Sequence, residues 1–596
     1  MPEKEQELLP VRIWESVKTF GLRAFFASFS DSSRMLPRAY EPWLFRHRAS
    51  EEQLRAQRKK GAGRKTSLTL VTVLKEADPQ AFADMLASLK GQTFSGFELL
   101  LIDLTAFGDG GTDLQAELRS AAAEAAHSGL RLRHFLMKDD LEFADAVNFG
   151  IRRASGTFLA VLPPEDLLPP ESLYRFAETI RKHREAELFY ADHDSVSYGK
   201  GRYFDPVLKP DLDPVLLLHG DYIGEFFFFR KETAAVLGGF RRELSGAETY
   251  DFLLRLTAGE RETVHLPAVL RHRRGALTRI PAEDPREDLR RSAMAEAVRR
   301  ELAGRRISGE VLPAGSSVRI RCRRKKKPLI SVILINTDRA ADLRRCVDFL
   351  LDSTEEKLEI LIVECCSRER ETFELYRDLA AYPQVKLIRW MEELHLSKML
   401  NYAAGYAAGE YFLFFSRRIR SAAGENWLTG LLDLLLLTGA GAAGPALLTP
   451  DERTLSRGLI VREGIILPAF PGEEAARVSR ILPREAPHTV SALSGDCLLV
   501  RREAFLQAEG FSDDFRFRTQ AEDLCLRLRE NGWRCVTDPG SGAVLEDIPE
   551  TPAPTGTEEI FDRDTFRQRW ETKTASDPYY PAAASAERGD YLPKLD

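Results

Sequence analysis

The chain has 596 residues, 44% hydrophobic and 30% charged, with a formal net charge of −6. That length predicts about two to four domains with ample cores, and the near-balanced charge excludes a bulk drive toward nucleic acid or anionic membrane. The seven cysteines show no CxxC spacing, which argues against a structural zinc site or disulfide framework and for reduced thiols in the cytoplasm.

The first ten residues, MPEKEQELLP, lack the apolar core of a signal peptide. Residues 11–30 place Trp14, Val17, Phe20, Phe25 and Phe26 among Arg12, Lys18 and Arg23 at roughly helical spacing. Such a helix either docks on the first domain or lies at a membrane interface near lipid-linked substrates. Residues 40–66 read as a charged helix and linker, with Ser50 as a cap.

A buried strand is predicted at 67–73, a helix from Phe82 to Leu89, and a second strand at 97–103. The stretch 141–168 adds an amphipathic helix, a glycine stop, an apolar strand and a polar loop. This β-α-β order predicts a parallel sheet with crossover helices. A helix at 284–303 precedes the basic run 318–327, read as a solvated linker, with attraction to phosphate or membrane as the alternative. The pattern restarts at Pro328, with strands at 331–335 and 358–364 around a helix ending near 352. Residues 430–448 resemble a membrane span, but Asp433 and the Gly-Ala-Gly break predict a helix followed by a strand. Pro- and Thr-rich residues 549–556 close the second half, and the tail carries one helix around Phe561–Trp570.

The segment 141–168 recurs without a gap at 394–421, pairing Asn148 with Asn401, Gly156 with Gly409 and Phe158 with Tyr411. Further on, Gly239-Phe240 matches Gly510-Phe511, and Asp251 matches Asp523. A repeat this long implies two homologous domains rather than a solenoid. The expected organisation is an N-terminal arm and linker (1–66), a first domain (67–303), a basic linker (304–327), a second domain (328–550) and a tail (551–596). Chemistry in such a unit belongs to the loop beyond the strand's carboxyl end, here PPED in the first copy and SRRI in the second.

The lead-in YEPWLFRHRASEEQLRAQ, the segment YFDPVLKPDLDPVLLLHGDYIG at 203–224, Gly238-Gly239-Phe240, the run from His265 to His272, the run from Ser494 to Arg502 and Asp577-Pro-Tyr-Tyr580 occur in one order. In that order they resemble the tandem family 2 glycosyltransferases of bacterial surface polysaccharide synthesis, including O-antigen and rhamnan-type enzymes. The resemblance implies an α/β chain of two GT-A domains, each a Rossmann-like sheet that binds a nucleotide-sugar, behind an N-terminal helical arm. It implies a UDP- or dTDP-linked donor, a glycan or lipid-linked acceptor, and other polysaccharide-assembly enzymes as candidate partners, with no nucleic acid. The implied location is cytoplasmic, with a peripheral place at the inner face of the plasma membrane as a further expectation. Relatives hold a divalent cation, Mg²⁺ or Mn²⁺, on aspartates after the fourth strand, and a second carboxylate deprotonates the acceptor.

Carried over by position, Glu165 and Asp166 are the metal candidates, with Pro163 replacing the family's first aspartate. Asp103 falls where relatives contact base and ribose; Asn148 and His272 are further candidates on the donor side. Asp192 and Asp194 match an acceptor-side motif. The expected catalytic aspartate is Thr249, which is no general base near neutral pH, leaving Glu248 and Asp251 as candidates. In the second domain Arg418 occupies the metal-ligand position and Ala521 the base position, beside Glu522 and Asp523. Glu364, followed by Cys365, stands at the nucleotide-contact position. No cation is expected there; Arg418 could pair with diphosphate instead. Two functions follow from the resemblance. One is sugar transfer by the first domain with the second as scaffold. The other is a pseudoglycosyltransferase that binds glycan or nucleotide, or scaffolds an active partner.

Overall fold

The structure, a computed structural model, describes residues 37–60, 67–107, 111–199, 201–259, 261–275, 285–423, 426–474, 482–546 and 557–595. The helix expected within 11–30 lies outside the described residues. In the described arm, the expected single charged helix is two, Pro37–His47 and Glu51–Lys60. Ser50 divides them: Gln53 N donates to Ser50 Oγ at 3.3 Å and Ser50 N to Gln53 Oε1 at 2.8 Å. This reciprocal capping box satisfies backbone donors that a helix start leaves open.

The first sheet contains β1 (Leu68–Leu74), β2 (Phe97–Asp103), β3 (Leu132–Leu136), β4 (Phe158–Val161), β5 (Leu188–Ser197), β6 (Tyr203–Val207), β7 (Phe227–Arg230) and β8 (Thr263–Gly275). Its order is β3-β2-β1-β4-β7-β5-β6, with β8 also paired to β5. The first four strands are parallel and β7 is antiparallel to β4. All seven residues of both β1 and β2 except Val73 are buried, as expected for strands covered on both faces.

A hairpin of β9 (Gly309–Ala314) and β10 (Ser317–Cys322) leads to the second sheet. That sheet contains β11 (Leu329–Asn336), β12 (Lys357–Cys365), β13 (Val385–Trp390), β14 (Tyr411–Phe415), β15 (Ile419–Ala423) and β16 (Ala442–Leu448). It continues with β17 (Thr454–Ser456), then, beyond the separate hairpin β18 (Leu459–Arg462) and β19 (Ile465–Pro468), with β20 (His488–Val490), β21 (Cys497–Arg501) and β22 (Cys535–Leu545). Its order, β13-β12-β11-β14-β21-β16-β22-β15, repeats that of the first sheet through the antiparallel strand. Residues 430–448 form the end of the helix Trp427–Thr438 and then β16, as the sequence predicts.

The glycine shared by the two copies has a packing reason. A Cβ on Gly156 would lie 2.6 Å from Thr69 Oγ1, and one on Gly409 2.5 Å from Ser331 Oγ. Those hydroxyls donate to the buried carboxylates Glu98 and Glu359, which also accept from Ser155 N and Ala408 N. Any side chain at the glycine would separate the crossover helix from the sheet.

In the basic run Arg321, Arg323, Lys325 and Lys326 are exposed to solvent, while two further cations are paired with acids of the second domain. Arg324 donates to both oxygens of Glu356 at 2.7 and 3.0 Å and sits 3.1 Å from Asp433, while Lys327 pairs with Glu355. These charges fasten the hairpin to the second domain. The two domains also meet directly: Asp213 accepts from both Thr489 N and Thr489 Oγ1 at 2.7 Å. A mixed cluster joins Tyr40, Trp43 and Leu44 of the arm to Phe470 of the second domain and Tyr580 and Tyr591 of the tail. Among the described residues no helix is long and apolar enough to cross a membrane.

Candidate active site

The carboxyl ends of β1, β2 and β4 open onto the loop 162–168, which pairs with β8 through reciprocal Leu167–His272 backbone bonds of 2.9 and 2.8 Å. Glu165 points away from its neighbour. Its Oε1 accepts from Asp78 N at 2.7 Å and its Oε2 from the Tyr198 hydroxyl at 2.5 Å. Burial and the Glu165 carboxylate together push the Tyr198 hydroxyl up to about 12. Asp166 is buried and gripped from the side by Arg271, with Nε at 2.6 Å and Nη2 at 2.5 Å, and by Arg274 N at 3.0 Å. Arg271 also reaches Glu225 at 3.2 Å.

A divalent cation does not fit these side chains as they stand. Among the described residues no three His, Cys, Asp or Glu side chains are grouped as ligands. Drawing Asp166 onto a cation would take from the buried Arg271 its closest carboxylate and leave it only the longer contact to Glu225.

His272 donates from Nδ1 to Asp194 at 2.5 Å, and its Nε2 lies 2.6 Å from Arg48 Nη2. That geometry suits a neutral ring with Nε2 accepting, so both ring nitrogens are engaged. Asp194 takes a second bond, 2.8 Å, from the Tyr40 hydroxyl. The arm therefore seals this end of β5. Asp192, two residues earlier, accepts from Lys209 N and His265 Nε2, both at 2.9 Å. These two aspartates form buried anchors rather than the acceptor-side wall that the resemblance implies.

Asp103 is likewise enclosed. It accepts from Thr105 N and Oγ1, His134 Nε2 at 2.7 Å and Arg119 Nε at 3.1 Å. Burial alone would raise its pKa; the His134 and Thr105 bonds and the Arg119 charge outweigh that and hold it below the usual carboxylate range. Asn148 sits behind the site, bonded to the backbone of Phe240 in both directions.

Glu248 and Asp251 part company on the helix Glu248–Thr257. Asp251 is held by Arg241 at 3.1 Å and Arg255 at 2.9 and 2.6 Å. Its counterpart Asp523 is held by Arg527, Arg569 and Trp570, so this acid is a structural tie in both domains. Among the described residues Glu248 has no cation partner. Its Oε2 accepts Gly246 N at 2.8 Å, and burial, with Glu142 and Glu225 nearby, raises its pKa.

In the second domain, Arg418 lies 3.8 Å from Asp496. Glu364 accepts from Ser367 N at 2.9 Å. Glu522 is pushed up to about 7 by burial, with the Asp496 charge adding to it.

The family follows from comparison with known proteins. The glycosyl transferase family 2 model matches residues 69–235 and 331–507, more than half of the chain and one span in each sheet. The chain belongs to glycosyl transferase family 2. Each half is accordingly a GT-A domain. The chain is 30% identical over 482 residues to the O-antigen biosynthesis protein RfbC of Myxococcus xanthus, covering 79% of this chain and 37% of that protein. It is 27% identical to the uncharacterized protein y4gI of Sinorhizobium fredii, covering 88% and 58%. A 131-residue stretch, 20% of this chain and 42% of the relative, is 35% identical to the N-acetylglucosaminyl-diphospho-decaprenol L-rhamnosyltransferase of Mycobacterium tuberculosis. The chain thus spans less than two thirds of the length of these relatives. Among solved structures, GalNAc-T7 with UDP, GalNAc and Mn²⁺ aligns over 42% of this chain and 50% of its own, at TM-score 0.34 and 15% identity.

Residues that sequence reasoning passed over hold this family 2 site together. Tyr198 carries no motif signal, and Tyr40 and Arg271 lie in segments that carry the resemblance without any sign of their roles, because their partners are distant in the chain. Lys209 lies inside the segment 203–224 that carries the resemblance, yet its role needs three dimensions. It is fully enclosed, its Nζ donates to Ala191 O and Ile223 O at 2.6 Å, and burial lowers its pKa to about 7.

Proposed function

We propose that the first domain transfers a sugar from a nucleotide-diphosphate donor to a glycan or lipid-linked acceptor of bacterial surface polysaccharide, with Glu248 as general base. The observation that carries this reading is the separation of Glu248 from Asp251. One carboxylate in the helix's first turn is partnered, among the described residues, by backbone alone and has a raised pKa, while the other is neutralised by two arginines. A raised carboxylate pKa brings a base nearer to the pH at which it must accept a proton.

In the proposed step the acceptor hydroxyl oxygen attacks the anomeric carbon and its proton passes to Glu248. The bond from that carbon to the diphosphate oxygen breaks, and its electron pair leaves with the nucleoside diphosphate. The positive charge that builds on the sugar ring is shared with its ring oxygen. Asp103, Asn148, Asp192, Asp194, Asp251 and His272 support the walls of the site. The second domain, with Arg418 at the loop and Ala521 at the base position, serves as scaffold. UDP and dTDP are the donor nucleotides to try first, and a place at the inner face of the plasma membrane would suit a lipid-linked acceptor.

The test is donor turnover with UDP- and dTDP-sugars, following release of the nucleoside diphosphate. Turnover that falls by about 10²–10⁴ in Glu248→Gln supports the reading. Equal turnover in the variant removes Glu248 from the chemistry. Nucleotide binding without turnover in the wild type would favour the pseudoglycosyltransferase.

A further inference from the structure

We infer that the first domain binds its donor diphosphate without a divalent cation, using guanidinium groups of β8 in the cation's place. This rests on the glycosyltransferase reading and deepens it.

The argument begins with charge. Asp166, at the carboxyl end of β4, is the acid that a family 2 cation would be expected to use. Its charge is already matched by Arg271 through two short contacts to Oδ2, and its Oδ1 accepts from Arg274 N. The carboxylate is therefore occupied from within the protein and is not an idle anion awaiting a metal. Glu165, turned to Tyr198 and the Asp78 amide, cannot complete a ligand set with it. The loop is neutralised from within the protein.

The same strand supplies charge to the site. Arg271 and Arg273 are two residues apart on β8 and therefore share one face of the sheet. His272, between them, points the other way to Asp194. Arg271 is enclosed, whereas Arg273 is exposed. Both act on Glu225, as does Arg290 from the helix Pro285–Gly304. Burial would raise the Glu225 pKa, and these three cations outweigh it and lower it. The Cα and Cβ of Arg290 lie beside Gly246, the residue whose amide holds Glu248, and Arg290 lines a cavity of about 130 Å³ with Asp221, Glu287 and Ser317. Arginine can present paired N–H donors to phosphate oxygens. Guanidiniums gathered around Glu225, one of them tied to the loop through Asp166, can neutralise a leaving diphosphate as a cation would. Arg271 acts as a positioning residue that keeps Asp166 closed, and Arg273 and Arg290 are the groups that touch phosphate.

The experiment is calorimetric titration of the full chain with UDP, dTDP and GDP, in EDTA and in Mn²⁺. The expected result is one nucleotide that binds equally, within about twofold, in both conditions, with affinity at least ~10-fold weaker in Arg273→Ala. Arg273 is exposed, so its variant keeps the wild-type melting temperature, which serves as the folding control. A nucleotide that binds only with Mn²⁺ overturns the inference while leaving the glycosyltransferase reading standing. Binding in EDTA that is untouched in both Arg273→Ala and Arg290→Ala overturns the assignment of the guanidiniums. No binding of any nucleotide in either condition overturns the glycosyltransferase reading, and this inference with it.

Discussion

Asn148 and Phe240 exchange two hydrogen bonds, side-chain amide to backbone, at 2.8 and 2.9 Å, and Asn401 and Phe511 exchange the same two at the same distances. The glycine before each phenylalanine, Gly239 or Gly510, has φ near +70° and lies too close to the asparagine to carry a Cβ. Each latch ties the helix of the repeated segment to the turn that precedes the helix bearing Glu248 or Ala521. The asparagine shared by the copies thus preserves a joint. Asn148→Ala is expected to destabilise the first domain by about 1–3 kcal/mol, the cost of leaving buried backbone groups unpaired. Asn401→Ala should do the same to the second, and the double variant should add the two losses, since distant sites rarely couple. Urea unfolding of the three variants tests this, and nucleotide affinity below the transition should be unchanged.

Glu248 and Asp251 are expected to separate by assay. Glu248→Gln should lose turnover with little change in melting temperature. Asp251→Asn leaves Arg241 and Arg255 facing a neutral amide, so it should lose about 2–4 kcal/mol of stability. Because the Glu248 pKa is raised, the acid limb of kcat/KM in the wild type should lie above the ordinary carboxylate range near 4.5. A limb below that value would point to a different base.

The arm depends on Tyr40. Tyr40→Phe removes one of the two bonds to buried Asp194 and is expected to cost about 1–3 kcal/mol. The measurable consequence is limited proteolysis: cleavage within the arm, near 45–60, should appear in the variant before either domain is cut. Cleavage of wild type and variant at equal rates would show that the arm is held by its apolar contacts alone.

Lys209 sets a pH dependence. Its folded pKa, about 7, lies below the unfolded value, so between pH 7 and about 10 the unfolded chain binds the extra proton. Stability therefore rises with pH across that window, as linkage requires when the unfolded state holds more protons. Lys209→Met should flatten the rise. Chemical denaturation of both proteins at pH 7, 8 and 9 gives the comparison, and parallel curves would show that Lys209 stays charged in the fold.

Arg418→Asp should leave sugar transfer nearly unchanged, because Arg418 and its neighbour Asp496 belong to the second domain. A large loss in the transfer assay would place the chemistry there.

The amino-acid sequence by itself determined the duplication, the strand and helix order of both halves and the family resemblance. These depend on local periodicity and on residues repeated in register, and β2, β16 and the helix Pro285–Gly304 fall within a few residues of where they are expected. It also marked the loops at 162–168 and 415–421 as the places where the copies diverge. The fate of each carboxylate was settled only in three dimensions. Asp166, Asp192, Asp194 and Asp251 look like site acids in the sequence, but their partners Arg271, His265, Tyr40 and Arg241 are brought to them by the fold. Most of those partners lie far along the chain. A carboxylate's chemistry depends on burial and on the nearest opposite charge, and both are properties of packing. That is why Glu248, alone among the nine candidate residues in being raised by burial with no cation beside it among the described residues, could be singled out only from the tertiary structure.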